Sequence, residues 1–177
     1  MLAVVQRVSS ASVSVDASSS PGPASAPDAT SVEASTSRAT VSSIGAGLCV
    51  LLCVEQGDGD DDAAWMAAKL ARLRIFSDEA GRMNLALHDV GGAILIVSQF
   101  TLAGDCSRGN RPSFVGAAAP AEGRRLYERA AELLARDHGL HVERGVFGAH
   151  MTVSLVNEGP VTVIVRSPRP AGGVPMR

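Results

Sequence analysis

The stretch "AILIVSQFTL", from Ala93 to Leu102, begins as an apolar run and ends on polar residues around a single Phe. An apolar, β-branched run preceded by two glycines predicts a buried strand at the centre of a sheet. Two interpretations of its polar end are open. Either the strand reaches the surface and continues as a polar turn, or Ser98 to Thr101 contribute groups to a ligand site.

The chain on either side of this strand predicts an α/β domain. Alternating and β-branched residues predict strands over residues 2–15 and 48–54. Apolar residues at helical spacing predict one helix after the acidic stretch at residues 57–62 and a second helix that begins at Pro120. Two final strands are expected after residue 145, and the sum is a mixed β-sheet covered by two helices.

The length and local composition predict one domain with an insertion. A chain of 177 residues is long enough for a single hydrophobic core, and we expect that domain over residues 1–166. Residues 17–40 are almost entirely Ser, Ala, Pro and Thr. Such a segment buries too little apolar area to offset its ordering entropy, which predicts a disordered insertion between two strands. Residues 167–177 are expected to be a flexible tail.

Charge and cysteine usage exclude several classes of protein. Sixteen Lys and Arg residues oppose eighteen Asp and Glu residues, so the formal net charge is −2 and any nucleic-acid contact has to be local. The three Cys residues form no C-x-x-C pair and the four His residues lack metal-binding spacing, which predicts neither a metal site nor a disulfide framework. With no secretory signal and no membrane-spanning run in the sequence, we expect a cytoplasmic protein with no membrane partner.

Two further stretches leave alternatives open on local chemistry alone. "RGNRPSF", residues 108–114, combines two Arg, a Pro-restricted loop and a Phe, which suits either a phosphate or stacked base, or a plain surface loop. "NEGPVT", residues 157–162, predicts a turn between two strands, because Pro donates no ladder hydrogen bond. Most X-Pro bonds in folded proteins are trans, so local physics predicts a trans Gly159–Pro160 bond.

Taken together, "SQFTL" and "NEGPVT" resemble the two signature motifs of the D-aminoacyl-tRNA deacylases, the D-tyrosyl-tRNA deacylase family. The stretches "VVQRV", "LRIFSDEAGRMN", "RPSF" and "FGAHMTVSLV" match in the same order along the chain. The resemblance implies an α/β single domain whose mixed β-sheets form a partly closed, barrel-like core covered by two helices. It also implies a homodimer that hydrolyses the ester between a D-amino acid and the terminal adenosine of tRNA, with no metal and no organic cofactor.

The resemblance further implies how such a site selects chirality. In this family the Gly-Pro bond is cis and enters the active site of the other subunit, which here gives Gly159 and Pro160 a substrate-binding role. Their carbonyls would face the α-amino group of the substrate and leave no room for an L side chain. A site that rejects by exclusion accepts any D side chain that points outward, and it also admits glycine.

The same resemblance implies the catalytic residues. Ser98, Gln99, Phe100 and Thr101 would line the pocket, and backbone amides near Phe100 and Thr101 would stabilise the oxyanion. Thr101 is either a nucleophile, which needs a base that the sequence does not reveal, or a positioning group while the 2′-OH of the tRNA assists. We favour the second alternative. Further implied pocket residues are Ser113, Phe114 and Met151, with Arg7 holding the Gly-Pro segment.

Two other functions compete with this hypothesis. One is the editing of L-alanine from a threonine tRNA by a close relative with a trans Gly-Pro bond, whose motifs differ at the "SQF" and "NxGPVT" positions. The other is a tRNA- or DNA-binding dimer without catalysis. Hydrolysis of a D-aminoacyl-tRNA by the purified protein distinguishes these functions.

Overall fold

The computed structural model describes residues 1–16 and 38–168. Most of the predicted insertion and all but the start of the predicted tail lie outside the described residues. Within them, the elements in chain order are β1 Leu2–Asp16, β2 Arg38–Ile44, β3 Gly47–Cys53, α1 Asp60–Arg72, β4 Phe76–Ser77, β5 Met83–Leu85, β6 Ala93–Ser98, a 3-10 turn Phe100–Ala103, α2 Pro120–Arg136, β7 His141–Arg144 and β8 Met151–Arg166.

One mixed sheet contains all of these strands except β4 and β5. Its order is β2-β1-β3-β6-β7, and β8 pairs with β1 as well. The strands β3, β6 and β7 are parallel to one another, whereas β1 is antiparallel to β2, β3 and β8. Because the first half of β1 pairs with β3 and its second half with β2, the sheet curls into a nearly closed barrel. The predicted α/β class is confirmed.

The two helices cover one face of this sheet and form the main core with it. On β3, Leu48, Val50 and Leu52 face the helices, and Ile94 and Ile96 do so on β6. The intervening residues of both strands face a smaller apolar cluster on the opposite side. Burial on both faces explains why β3 and β6 are almost continuously apolar in sequence.

The sheet face opposite the helices is incompletely covered within one chain. Leu51, Val4 and Ile164 lie side by side on β3, β1 and β8, in register with one another. Side chains at directly paired positions project from the same face of a sheet. Leu51 and Val4 are half-buried and Ile164 is 71% exposed, which leaves an apolar row at the surface.

The predicted turn at the "NEGP" stretch is wrong, because the two expected final strands form one strand, β8. Val8 of β1 pairs with Asn157 and Gln6 pairs with Thr162, so two steps along β1 face five steps along β8. The extra residues bulge out of the ladder without reversing the chain direction. The Gly159–Pro160 bond within this bulge is cis, as the resemblance implied and contrary to the local prediction.

The boundaries of the predicted insertion and tail also shift. β2 begins at Arg38 and pairs with the end of β1, so residues 38–40 belong to the sheet rather than to the insertion. Ser167, expected to begin the tail, is buried, and its backbone amide donates to the carbonyl of Met1 at 2.9 Å. The strands β4, β5 and β7 had no sequence prediction, because runs of two to four residues show no periodicity.

Candidate active site

The "SQFT" residues form a tight turn at the carboxyl end of β6. The amide of Gln99 donates to the Leu52 carbonyl at 2.8 Å, which extends the pairing of β3 with β6 by one step. The chain then enters the 3-10 turn, where Leu102 donates to Gln99. Among the described residues, neither the Phe100 nor the Thr101 amide donates to a backbone carbonyl outside the turn. Two backbone donors are therefore available at the end of a parallel strand, where α/β sheets bind ligands.

The side chain of Gln99 donates a short hydrogen bond to the hydroxyl oxygen of Thr101. Thr101 is exposed and Gln99 is half-buried. In the part of the chain that the structure describes, no His, Asp or Glu hydrogen-bonds to the Thr101 hydroxyl. A Thr nucleophile requires such a base. This arrangement therefore favours a positioning role for Thr101 over a role as nucleophile.

Two aromatic rings flank the turn. Phe100 is 59% exposed, and its ring meets that of Phe114 edge-to-face, with the ring centroids 5.3 Å apart. Paired backbone hydrogen bonds between Asp105 and Ser113 close the loop that carries Phe114. A Cβ atom on Gly104 would lie 2.9 Å from the Thr101 carbonyl oxygen and 3.0 Å from the Phe114 ring, so the loop packs this tightly only around glycine. Of the predicted site residues, Phe100, Thr101 and Phe114 therefore lie close together at this turn, within one chain.

A cavity of about 300 Å³ opens beside this turn. Its apolar wall comes from the ends of β3 and β6, from the start of α2 and from the loop before β8. The lining residues include Ser98, Gln99, Phe100, Leu52, Val54, Tyr127 and Phe147. An apolar, aromatic-lined cavity with a few polar groups at one edge is typical of a small-ligand site.

Tyr127 and Phe147 belong to this cavity although sequence reasoning did not select them. The Tyr127 hydroxyl donates to the Ile96 carbonyl at 2.9 Å and lies 3.4 Å from the Gly145 carbonyl. Burial raises the pKa of Tyr127 to about 12, so the phenol is neutral at physiological pH. Two features could have identified Tyr127 as a cavity residue: it is the only Tyr in the chain, and it lies on the inner face of α2.

Ser113 and Met151 do not line this cavity. Met151 packs on the opposite side of β6, where its sulfur accepts from the Val146 amide at 3.3 Å. A Cβ atom on Gly145 would lie 2.9 Å from the same sulfur and 3.4 Å from Val97, a residue of the smaller cluster. Ser113 is exposed and reaches the site only through its loop. Both residues thus lie outside the cavity.

The Gly159–Pro160 segment is held by side chains on both of its sides. Asn157 Oδ1 accepts from the Val161 amide at 2.9 Å, which closes the bulge. The buried Arg7 lies beneath it, with Nη2 at 3.8 Å from Glu158 Oε1. Gly159 has φ of +117°, and a Cβ atom there would lie 2.9 Å from Arg7 Nη2. The predicted contact between Arg7 and this segment is therefore present in the fold.

Within one chain, the two motifs lie at opposite ends of the sheet. Leu52 of β3 pairs with Ser98, whereas Leu48, four residues earlier, pairs with Arg7 beside the Gly-Pro bulge. Four residues of strand span roughly 13 Å, and β1 separates β3 from β8. The structure brings Ser98, Gln99, Phe100, Thr101 and Phe114 together, but it does not bring Gly159 and Pro160 to them in the same chain.

Neither a metal site nor a membrane span is found in the described parts of the chain. Over residues 1–16 and 38–168, no group of three or more His, Cys, Asp or Glu side chains is placed to hold a metal ion. None of the helices there is both long enough and apolar enough to cross a membrane.

Comparison with known proteins assigns the family. The model of the D-Tyr-tRNA(Tyr) deacylase family matches residues 4–166. The chain belongs to this family. A relative from Geobacter sulfurreducens named D-aminoacyl-tRNA deacylase is 51% identical over 165 residues, which cover 93% of this chain and 94% of the relative. A relative of the same name from Variovorax paradoxus is 52% identical over 163 residues, which cover 92% and 97%.

Two solved structures share the fold of this deacylase family member. One is described as "c-Myc DNA Unwinding Element Binding Protein"; it has a TM-score of 0.78 and 34% identity, over 96% of this chain and all of that one. The other is titled "Structural Analysis of a probable eukaryotic D-amino acid tRNA deacylase" and has a TM-score of 0.70 at 17% identity, over 93% of this chain and 97% of that one. The second likeness supports the fold alone.

Proposed function

We propose that this chain hydrolyses the ester bond of D-aminoacyl-tRNA and releases the free D-amino acid and the tRNA, as a chiral proofreading step of translation. Membership of the deacylase family and about 50% identity to relatives named D-aminoacyl-tRNA deacylase support this reaction. The observation that carries the proposal is the "SQFT" turn, whose two available amides lie at the edge of an apolar cavity. The compartment in which such an activity is needed is the cytoplasm, where charged tRNA is used.

The cavity suits the aminoacylated 3′ end of tRNA. The rings of Phe100, Phe147 and Tyr127 offer stacking and edge contacts to the terminal adenine. With the nucleoside against these rings, the ester carbonyl lies over the turn. Its oxygen then accepts hydrogen bonds from the Phe100 and Thr101 amides as negative charge develops in the tetrahedral transition state.

The chemistry needs little more than position and charge stabilisation, because an aminoacyl ester is already activated. The 2′-OH of the terminal ribose is adjacent to the ester and assists the attacking water, while Thr101 and Gln99 fix the turn through their hydrogen bond. The absence of a base at Thr101 among the described residues supports this arrangement over a covalent intermediate.

A second copy of the chain completes the site in this proposal. The separation of the two motifs within one chain supports delivery of Gly159 and Pro160 by a partner subunit. The exposed apolar row of Leu51, Val4 and Ile164 offers a self-complementary surface for a homodimer. Carbonyls of the delivered segment then meet the α-amino group and exclude an L side chain, so that D-amino acids of any size and glycine are accepted.

The test of this function is hydrolysis of D-tyrosyl-tRNA and of L-tyrosyl-tRNA by wild type and by Thr101→Ala. We expect both proteins to hydrolyse the D ester and spare the L ester, and glycyl-tRNA to be hydrolysed as well. Hydrolysis by wild type alone would instead make Thr101 a participant in the chemistry. If neither protein prefers the D ester, the deacylase function is wrong.

A binding protein without catalysis is the second candidate. The 34% identical solved structure named for binding a DNA unwinding element supports it. Retention of duplex DNA in a gel-shift assay at physiological salt, without any ester hydrolysis, would favour this candidate. A hydrolysis assay with a threonine tRNA that carries L-alanine tests the alternative editing activity.

A further inference from the structure

A basic groove lies at the carboxyl end of α1, far from the "SQFT" turn. Trp65, Lys69, Arg72 and Arg74 line it, together with Ala68 and Leu73, and it encloses about 360 Å³. The three cationic side chains are exposed. Lys69 Nζ lies 5.2 Å from the centre of the Trp65 ring, which places a cation against the one Trp of the chain.

The cations of this groove are not neutralised by acidic neighbours. Among the described residues, ion pairs engage several arginines elsewhere on the surface, as in Arg125 with Asp60 and Glu122. Lys69, Arg72 and Arg74 form no ion pair within the described residues. In a chain of net charge −2, an unpaired cluster of this kind marks a surface for an anionic partner.

Arg74 is also held in place, because its Nε donates to the Asn84 carbonyl at 2.5 Å and its Nη2 to Asn84 Oδ1 at 3.0 Å. The carboxylate of Asp78 accepts a hydrogen bond from Asn84 Nδ2 and contacts Arg82. The guanidinium of Arg74 is therefore fixed by neutral groups and keeps its charge for a ligand. A fixed planar cation beside an indole ring suits the alternating phosphates and bases of RNA.

The groove is linked to the Gly159–Pro160 segment through the buried side chain of Arg7. Arg7, which lies beneath that segment, donates to the Ile75 carbonyl at 2.7 Å, and Ile75 directly follows Arg74. The 13 residues of α1 span about 20 Å from the end near the "SQFT" turn to the end at the groove. The groove is thus remote from its own chain's site and adjacent to the segment that would enter the site of the partner.

We propose that this basic groove binds backbone phosphates of the tRNA whose aminoacyl end occupies the partner subunit's site. The proposal rests on the deacylase function and on the dimer proposed above. The other unpaired cations include Arg108, Arg111 and Arg124, which lie on the "SQFT" side of the chain. In the dimer, cations of both subunits then contact one tRNA molecule, so both subunits contribute to its binding.

The first experiment compares the double variant Lys69→Ala/Arg72→Ala with the matched control Arg129→Ala/Arg136→Ala, whose arginines are ion-paired on α2. Steady-state kinetics are measured on D-tyrosyl-tRNA across a salt series and on the D-tyrosyl ester of adenosine, which has no phosphate. We expect the groove variant to raise KM for the tRNA with kcat unchanged. The slope of log(kcat/KM) against log[salt] should become shallower by about 2, since each phosphate contact contributes about 0.9.

On the adenosine ester, the groove variant should match wild type, and the control variant should match wild type on both substrates. An unchanged KM and salt slope for the groove variant, or an equal loss on both substrates, would overturn the groove proposal alone. Failure of wild type to hydrolyse either ester would instead overturn the deacylase function on which it rests. The two failures are therefore distinguishable.

A second experiment tests the contribution in trans, using heterodimers purified through two tags. Ser98→Trp fills the cavity of one chain, so only the other chain's site remains active. We expect tRNA affinity to fall when the groove variant is carried by the blocked chain, and to stay at the wild-type level when it is carried by the active chain. The reverse result would place the groove beside its own chain's site and refute the proposal.

Discussion

Arg7 Nη1 donates a 2.7 Å hydrogen bond to the carbonyl oxygen of Ile75, and this bond joins β1 to the segment that follows α1. The same guanidinium lies under Gly159 and 3.8 Å from Glu158 on β8. One buried side chain thereby couples the segment proposed to select the substrate to the groove proposed to hold the tRNA. Both features depend on a residue that lies outside the two signature motifs.

The first prediction concerns removal of this contact by Arg7→Met. The Ile75 carbonyl then loses a charge-assisted hydrogen bond, so the free energy of unfolding should fall by about 1.5–3 kcal/mol. Activity on D-tyrosyl-tRNA should fall as well, because the Gly-Pro segment loses its support. Urea unfolding and initial rates measure the two effects. Arg38→Met, which removes a solvent-screened pair with Asp16, should leave the unfolding free energy close to that of wild type. Equal effects of the two variants would contradict the role given to Arg7.

The second prediction compares two glycines of positive φ. Gly159→Ala places a Cβ atom 2.8 Å from Val161 Cγ2 and 2.9 Å from Arg7 Nη2, whereas at Gly81, with φ of +75°, nothing lies within 4 Å. Both variants carry the cost of an Ala in a left-handed conformation, about 1–3 kcal/mol. Only Gly159→Ala also displaces its neighbours, so it should lower kcat/KM for D-tyrosyl-tRNA by about tenfold or more while Gly81→Ala stays close to wild type.

Measurement of both variants in one assay separates the two costs. Thermal unfolding reports the total loss of stability, which should be larger for Gly159→Ala because the displacement of its neighbours adds to the backbone cost. Initial rates report the displacement of the segment. If Gly81→Ala loses as much activity as Gly159→Ala, the loss follows from stability, and the Gly-Pro segment has no special position in the site.

The fold was predictable from sequence wherever a pattern extends over several residues. The apolar runs of β3 and β6 and the helical spacing of α1 and α2 each report burial on a fixed face. The bulge in β8 was not predictable in this way, because local chemistry at Gly159 and Pro160 equally suits a turn. Whether the chain reverses or continues at this point is decided by its pairing with Gln6 and Val8, about 150 residues earlier in the chain.

The site was predictable only in part, for a related reason. The resemblance located Ser98, Gln99, Phe100 and Thr101, and the structure gathers them in one turn. Tyr127 enters the cavity through the packing of α2 against β6, a contact that the sequence of the helix does not reveal. Conversely, Met151 lies on the side of β6 that faces away from the cavity. It packs there with Val97, which the alternation of side chains along β6 directs to that face.

The third prediction concerns Tyr127→Phe. The variant removes one of the two donors to the Ile96 carbonyl, which keeps the hydrogen bond from the Gly145 amide at 2.9 Å. The free energy of unfolding should therefore fall by about 0.5–1.5 kcal/mol, the net value of one hydrogen bond. Because Ile96 belongs to the strand that ends at Ser98, KM for the adenosine ester should rise. Urea unfolding and steady-state rates test both effects. Unchanged stability with a changed KM would mean that the hydroxyl binds the substrate directly.

The fourth prediction is a loss of stability at alkaline pH. Burial raises the pKa of the Cys49 and Cys53 thiols to about 11, from 9.0 in an exposed chain. Between pH 9 and pH 11 the unfolded chain therefore binds fewer protons than the folded one, and the free energy of unfolding falls by up to about 1.4 kcal/mol per pH unit for each thiol. Urea unfolding across this range measures the slope. Cys49→Ala removes one thiol away from the turn and should make the slope shallower, whereas Cys106→Ala removes an exposed thiol and should leave it unchanged; identical slopes for both variants would show that the buried thiols are not its cause.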